Sequence, residues 1–552
     1  MGFLNDHPMA ATAIALVTVI VGRFLYNFAY WRLRMRNLPG PPHSLLFGHI
    51  IPIGKLSMKL PQRAHPHYQP LYLTQEYNLP SIFYMDLYPL DHPVMVVMDP
   101  EAATEIAEKV QLNKHGSLRN ILAPLMGHEN LIVSNGAFWK QWRAIFNPGF
   151  SVQHLMTQVS TIVDCVETFV DILDEQAVKN KVFRLEEDAT KVTIDIIGKV
   201  VCDHDFKSLT TNCDFVENMR NTLGWMTDIR SINPFHLYNP LRPILFKYYK
   251  NRMDSYIGKV LDDRFTGRVS SSEMKTRKRT GVDLALEAWA KESGQDVDSK
   301  TATMDPEFRK HAINQLETLM FAGHDTTAST ICYCYYLLHQ NPSALTNIRK
   351  ELDDIFGSNV PAGDQLKKNP YLINQCEYTH AVVRETLRLW NPASTARVGN
   401  KDYFIRDKTT GEMLPTEGFL VWIPSMSMHR DPRYWTSPSS FQPERFLSEN
   451  ADKLTPNVWR PFEKGPRNCI GQELAYIELK IILAMTIREF DIRGAYEELG
   501  ALNEDGSLWA NDASFKKGPQ TIFGDEPAYQ ILLAAAKPRE GMPARVKRRE
   551  QD

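Results

Sequence analysis

Hydrophobic positions follow two regimes along this chain: one nearly continuous run at the N-terminus, then helix-period amphipathic stretches over most of the rest. The run PMAATAIALVTVIVG, Pro8 to Gly22, carries no charge. Arg23 interrupts it, and FLYNFAYW extends the apolar character to Trp31, about 24 residues where a spanning helix needs ~20. Near a membrane face Arg23 can snorkel, and Tyr26, Tyr30 and Trp31 suit an interfacial belt. Arg32, Arg34 and Arg36 follow the run and Asp6 precedes it, which places the basic end and the body in the cytosol. A cleaved signal peptide would carry its charge before the apolar run. The pattern therefore predicts an anchor over residues 1–37 and a body over 38–552. The stretch LPGPPHSLLFGHI reads as a stiff, non-helical spacer that sets the angle at which the body leaves the membrane.

In the body, Ser81 to Asp99 shows strand-like alternation, and short strands recur at 402–406 and 418–423. Helical periodicity predicts long helices over 153–178, 186–202, 246–265, 307–338, 375–389 and 471–489. The stretch 266–305, rich in Ser, Lys, Arg, Thr and Gly, reads as a mobile surface connection. The C-terminal AYQILLAAAKPREGMPARV is hairpin-like, and 495–525 is longer than a simple turn and reads as a loop over a pocket. The fold class is mainly α with minor β, in one large unit.

Composition changes this picture little. Hydrophobic residues make up 43% and charged residues 23%, an ordinary globular balance, and a chain of 552 residues can enclose a bulky cofactor. The net charge of -2 gives no electrostatic case for nucleic acid. Seven scattered cysteines with no CxxC pair exclude a zinc ribbon or thioredoxin-like motif and suggest reduced thiols.

One cysteine sits in a distinctive loop, PFEKGPRNCIG, with the spacing Phe462, Gly465, Arg467, Cys469, Gly471. Gly465 permits a tight turn, and Gly471 allows close backbone approach to a flat ring. The amphipathic run after Cys469 places it near a helix N-terminus, which favours a thiolate. A thiolate is a strongly donating axial ligand for haem iron; Arg467 can reach a haem propionate and Phe462 can pack beside the sulfur. This loop resembles the haem-binding signature of the cytochrome P450 superfamily, of the microsomal, reductase-dependent type. The resemblance extends over about residues 38–550, with the motifs below in family order.

The second motif is MFAGHDTTAST, Met320 to Thr330. On a helix Ala322, Gly323 and Thr326 share a face, and two small residues beside a hydroxyl leave room for a diatomic ligand. The segment AGHDTT is similar to the family's oxygen-activation motif. That implies Thr326 and Asp325 as the catalytic pair, the hydroxyl hydrogen-bonding at the oxygen site and the carboxylate relaying protons from water.

Three further sets follow from the resemblance. Glu385 and Arg388, spaced i,i+3 in EYTHAVVRETLRLW, and Arg445 in FQPERF imply a buried structural triad. Trp139 and Arg143, in WKQWR, imply propionate contacts, as does Arg397 on a strand after the triad helix. Here Arg388-Leu389-Trp390-Asn391-Pro392 carries one residue more than the family's Arg-Leu-aromatic-Pro. His429, in MHRDPRYW, reads as structural.

Taken as a whole the resemblance implies haem b with an axial cysteine thiolate, Cys469, and a monooxygenase inserting one atom of O2 into a lipophilic small molecule. Electrons would come from NADPH through cytochrome P450 reductase, with cytochrome b5 as a further donor, on a proximal face carrying Lys140 and Lys464. The implied location is the endoplasmic reticulum membrane, single-pass, and the implied setting is fungal secondary metabolism. By the same analogy the pocket is lined from 112–137, 203–240, 316–327, 392–397 and 515–525, and 232–246 dips into the membrane. An isomerase or dehydratase needing no reductase would ordinarily lack the Asp325–Thr326 pair; a non-catalytic membrane-tethered haem or lipid binder would not need it.

Overall fold

The computed structural model describes residues 8–226, 239–270, 280–294, 303–408, 410–505, 519–533 and 535–549. A helix of 28 residues, Pro8–Met35, forms the N-terminal run. Within it Thr12–Met35 has a mean hydropathy of 1.6, long and apolar enough to cross a membrane. Its exposed apolar flank ends abruptly: Trp31 packs edge-on against Phe419 with ring centroids 5.4 Å apart, and Arg32 and Met35 are buried in the body.

Arg32, one of the basic residues that follow the apolar run, is tied into the body. It forms a 2.5 Å ion pair with the buried Asp86, and its Nη2 donates to the Tyr88 carbonyl at 2.6 Å. Arg34 Nη2 donates to the Glu417 carbonyl at 2.9 Å. The proline-rich spacer is also part of the body. The Pro39 carbonyl accepts the Tyr84 N–H at 2.7 Å, and a Cβ on Gly40 would stand 2.6 Å from the Tyr84 oxygen. The departure angle is therefore set one turn earlier, by the helix end itself.

The body is organised around the helix Pro306–Gln340. Asp305 caps it by accepting the Phe308 N–H at 2.8 Å, Pro306 takes the first turn, and Asn341-Pro342 ends it. From Ala312 to Leu338 it is buried on almost every face, polar residues included, because it runs through the middle of the core. Helix Leu185–Ile197 lies against it, close enough that a Cβ on Gly323 would meet Ile197 Cδ1 at 2.9 Å. Gly323 thus serves helix packing as well as the open face read from sequence. The helices Glu377–Leu389 and Gln472–Thr486 flank the other side of the core.

Four strands form the main sheet: β1 (Ile82–Met85), β2 (Val94–Val97), β3 (Thr395–Val398) and β4 (Leu420–Ile423). Their spatial order is β1-β2-β4-β3. β1–β2 and β3–β4 are antiparallel; β2–β4 is parallel, with Met95 opposite Val421. Both β1 and β2 are buried on both faces, which explains their continuous apolar character. β5 (Phe490–Gly494), β6 (Gln530–Leu533), β7 (Ala535–Pro538) and β8 (Pro543–Arg548) close the C-terminus. β6 and β7 form the expected hairpin, and β8 pairs with β5 and with Phe183–Arg184.

The long helices fall where periodicity predicts them, with two differences: 153–178 is broken into Val152–Met156 and Val159–Lys179, and 246–265 extends to Leu241–Ser270. The surface connection at 266–305 does not hold throughout. Gly281–Ser293 is a helix with a Thr280–Asp283 capping box, and Val282, Ala285, Leu286 and Trp289 are buried. That i, i+3, i+4, i+7 stripe is helical, but polar flanks dilute it over a wide window. Residues 271–279 and 295–302 lie outside the described residues, as do 232–238 of the segment expected to dip into the membrane, and 506–518 of the long insertion.

Trp289→Ala should therefore lower the unfolding free energy by about 3–5 kcal/mol. The exposed Lys291→Ala should change it by less than ~0.5 kcal/mol. Denaturant melts of the two variants check this; equal, small effects would return the segment to a surface connection.

Candidate active site

The cysteine loop is shaped by backbone geometry before any side chain acts. Gly465 has φ +73°, and a Cβ there would come within 2.5 Å of the Ala107 carbonyl oxygen. The Cys469 N–H donates to the Phe462 carbonyl at 2.9 Å, closing the loop. Phe462 packs edge-on against Tyr476, 5.2 Å between centroids. Gly471 caps helix Gln472–Thr486, so Cys469 lies just ahead of its N-terminus. Six of the seven cysteines are buried against other side chains; Cys469 alone is solvent-reached, although it lies deep in the body. Burial pushes its thiol pKa up, while the Gly471 backbone N–H and the Arg143 guanidinium pull it down.

The central helix has a matching opening. Between Ala312 and Leu338 the residues that escape burial are Ala322, Gly323 and Thr326, one narrow stripe. Thr326 Oγ1 donates to the Ala322 carbonyl at 2.9 Å, the back-bond that bends a helix. Asp325 does not share this opening. It is fully buried on the next face, 2.6 Å from Lys537 Nζ.

Four cations from separated parts of the chain converge near the loop. Arg143 donates to the Asn468 carbonyl at 2.8 Å and to Asn468 Oδ1 at 2.9 Å. Arg467 donates to the Ser134 carbonyl at 2.8 Å and lies over the Trp139 ring, 4.2 Å from its centroid. Arg397 is buried at 1% exposure; Nη1 donates to the Leu112 carbonyl at 3.2 Å, while Nε and Nη2 have no partner. The fourth is Lys114, which pairs in register with Arg397 and donates to Thr395 Oγ1 at 2.5 Å. Burial, then the neighbouring Arg397 and Arg143, push the Arg467 pKa down to about 9. Burial, then Arg397 and Arg467, push Lys114 well below its usual value. Sequence reasoning missed Lys114, because the register that joins it to Arg397 is a long-range bridge with no local motif.

The extra residue before Pro392 does not disturb this register. Trp390 stacks on Tyr333 at 4.5 Å, and Gln530 Nε2 donates to the carbonyls of Trp390 and Asn391, each at 3.3 Å. The triad residues meet as expected. Arg388 and Glu385 are both 0% exposed and form two hydrogen bonds of 2.7 and 2.8 Å, and Arg445 Nε lies 3.5 Å from Glu385. Arg388 also donates to the carbonyls of His429, Pro438 and Ser440. His429 is a structural residue: its Nε2 accepts the Arg460 N–H at 3.0 Å. Burial, with Arg388 and Arg460 beside it, holds its pKa down at about 3.

Two C-terminal segments are fixed near the central core. In the described part of 515–525, Phe523 stacks on Tyr72 at 5.5 Å. The β6–β7 hairpin approaches the site as well: the Ala536 N–H donates to the Pro392 carbonyl at 2.9 Å, and Ser329 donates to the Ala536 carbonyl at 2.9 Å.

The cytochrome P450 family model matches residues 38–499. The chain belongs to the cytochrome P450 family. It is 36% identical over 539 residues to cytochrome P450 monooxygenase polC of Polytolypa hystricis, covering 97% of this chain and 94% of that protein. It is 35% identical over 512 residues to cytochrome P450 monooxygenase acrF of Aspergillus aculeatus, covering 89% and 99%. The fold is shared with the crystal structure of the cytochrome P450DA haem domain, at TM-score 0.69 and 19% identity, covering 93% of this chain and 98% of that one. The protein is accordingly a haem-thiolate monooxygenase, acting with O2, a small-molecule substrate and a redox partner.

The residues present fit haem. A buried set of like charges with orphaned N–H groups on Arg397 needs an anionic partner, and haem carries two propionates on one edge. The solvent-reached thiol and the unburied stripe at Ala322, Gly323 and Thr326 supply a soft donor and an uncluttered opposite wall.

Replacing Glu385 with Gln removes one charge from a pair with no access to water. The unfolding free energy should fall by about 3 kcal/mol or more, seen as a lower urea midpoint at unchanged slope. A midpoint shift worth less than ~1 kcal/mol would show that the pair contributes little here.

Proposed function

We propose that Cys469 is the cysteine whose thiolate holds the haem iron, with Phe462 packing beside the loop. Its solvent-reached position, alone among seven cysteines, carries this assignment. On this reading Trp139, Arg143, Arg397 and Arg467, joined by Lys114, take the propionates, which relieves the crowding of positive charge. Bound there, haem supplies dioxygen activation and the insertion of one oxygen atom, by hydroxylation or epoxidation. The chain's own residues do the rest. Thr326 holds a hydrogen bond at the oxygen-side wall, Asp325 moves protons toward that hydroxyl, and Glu385, Arg388 and Arg445 keep the thiolate side rigid.

Residues 1–37 act as a single-pass anchor in the endoplasmic reticulum membrane, and 38–552 form the cytosolic catalytic domain. The exposed apolar helix supports this reading. NADPH–cytochrome P450 reductase delivers the electrons, with cytochrome b5 as a further donor, at a proximal face that includes the exposed Lys140. Substrates are lipophilic small molecules of fungal secondary metabolism; similarity to monooxygenases of two fungi supports this.

Reduced, CO-treated protein should show the red-shifted Soret band of thiolate ligation, and Cys469→Ala should abolish it. A band that survives in Cys469→Ala would sink the assignment. Turnover of a compound that shifts the spin-state spectrum should require both NADPH and the reductase.

A further inference from the structure

The hairpin residue Lys537 places one ammonium between two carboxylates. Its Nζ is 2.6 Å from Asp325 Oδ1 and 2.6 Å from Glu186 Oε1. Side-chain exposures are 10% for Lys537, 0% for Asp325 and 14% for Glu186, so neither pair is screened by bulk water. Glu186 also accepts from Thr190 Oγ1 at 3.0 Å and feels the exposed Arg220 of helix Asp214–Trp225. Besides Lys537, the titratable group facing Asp325 is His324 of the same helix, whose Nε2 is 3.9 Å from Oδ1. Burial pushes the His324 pKa down, so the imidazole is neutral and adds no cation. Cys332 of the central helix completes the charged and titratable surroundings of Lys537 and Glu186.

Asp325 and Thr326 are neighbours in sequence, yet side chains one residue apart on a helix diverge by about 100°. Asp325 points at the hairpin while Thr326 faces the opening. To serve Thr326 the carboxylate must leave Lys537, and an ammonium stranded in the core is strongly unfavourable. Glu186, at the same distance on the other side, removes that obstacle. Lys537 stays paired whichever way Asp325 turns.

We propose that Lys537 and Glu186 are positioning residues that form a shared-cation clamp on Asp325: Lys537 holds the ionised carboxylate away from Thr326 at rest, and Glu186 retains Lys537 when Asp325 turns to the opening. The proton balance closes with water as the source. Released Asp325 takes a proton from water, passes it toward the Thr326 hydroxyl, and returns to Lys537 as a carboxylate. The inference rests on reading Asp325 and Thr326 as the proton-handling pair.

The first test needs no turnover. Infrared difference spectra of the full-length holoprotein against Asp325→Asn isolate the Asp325 carboxyl. At neutral pH the native protein should show no protonated-carboxyl band from Asp325, and Lys537→Met should show one. No band in Lys537→Met would overturn the clamp. The second test is kinetic. Glu186→Gln should lower kcat roughly tenfold, enlarge the solvent deuterium isotope effect, and leave KM and the CO-bound spectrum unchanged. Lys537→Arg keeps both ion pairs and should restore the native isotope effect. Glu186→Gln with native kcat and isotope effect would overturn the proposal, as would a KM change without a kcat change. If Asp325→Asn itself leaves kcat and the isotope effect unaltered, the proton-handling reading fails and the clamp falls with it, whereas a clamp failure alone leaves the Asp325→Asn defect in place.

Discussion

Four cations that should repel one another are gathered inside this protein. Lys114, Arg143, Arg397 and Arg467 come from a loop, a helix, a strand and the cysteine loop, and together they tie distant parts of the chain to one edge of the site. Such a gathering is unfavourable unless an anion is added. The fold therefore gathers, at one edge of the site, donors whose charge suits an anionic group. Everything that fixes these four residues serves the same end, from the bridge joining Lys114 to Arg397 to the hydrogen bonds that spread Arg143 and Arg467 over Asn468 and Ser134.

Several other buried charges are paired within the chain. Glu385 pairs with Arg388 and has Arg445 beside it, and Asp86 pairs with Arg32 and His43. Lys537 differs from both in being one cation between two carboxylates. A one-to-one buried pair locks a geometry, because separation strands two charges. A shared pair permits movement, because one contact can open while the other remains. The Glu385 and Asp86 pairs lie where the architecture must not shift, and the shared cation lies beside the central helix.

The parts of this molecule legible in sequence are those whose logic is local. Cys469 and its glycines, Thr326 with Ala322, and Glu385 with Arg388 declare themselves through spacings of a few residues, and the long helices through their period. Arg397 kept its inward register despite the added residue at Trp390–Asn391, because strand pairing absorbs such changes upstream. Lys114 and Lys537 were not legible, since their partners lie 283 and 212 residues away in the chain. The helix Gly281–Ser293 was hidden for a different reason: its apolar stripe is short and set between polar flanks. The Arg32–Asp86 pair was not legible either, because charge patterning sees a basic residue after an apolar run but not the aspartate folded beneath it.

That buried ion pair also has a mechanical meaning. Helix Pro8–Met35 runs unbroken from its exposed apolar flank into the packed interior, where Trp31, Arg32 and Met35 hold its last turn. A tether with a swivel would let the body roll freely over a lipid surface. A helix clamped at its root behaves as a mast: were it to cross a bilayer, its tilt would be passed directly to the body. Membrane thickness, by setting that tilt, would then govern how high the entrance for a lipophilic molecule rides above the lipid.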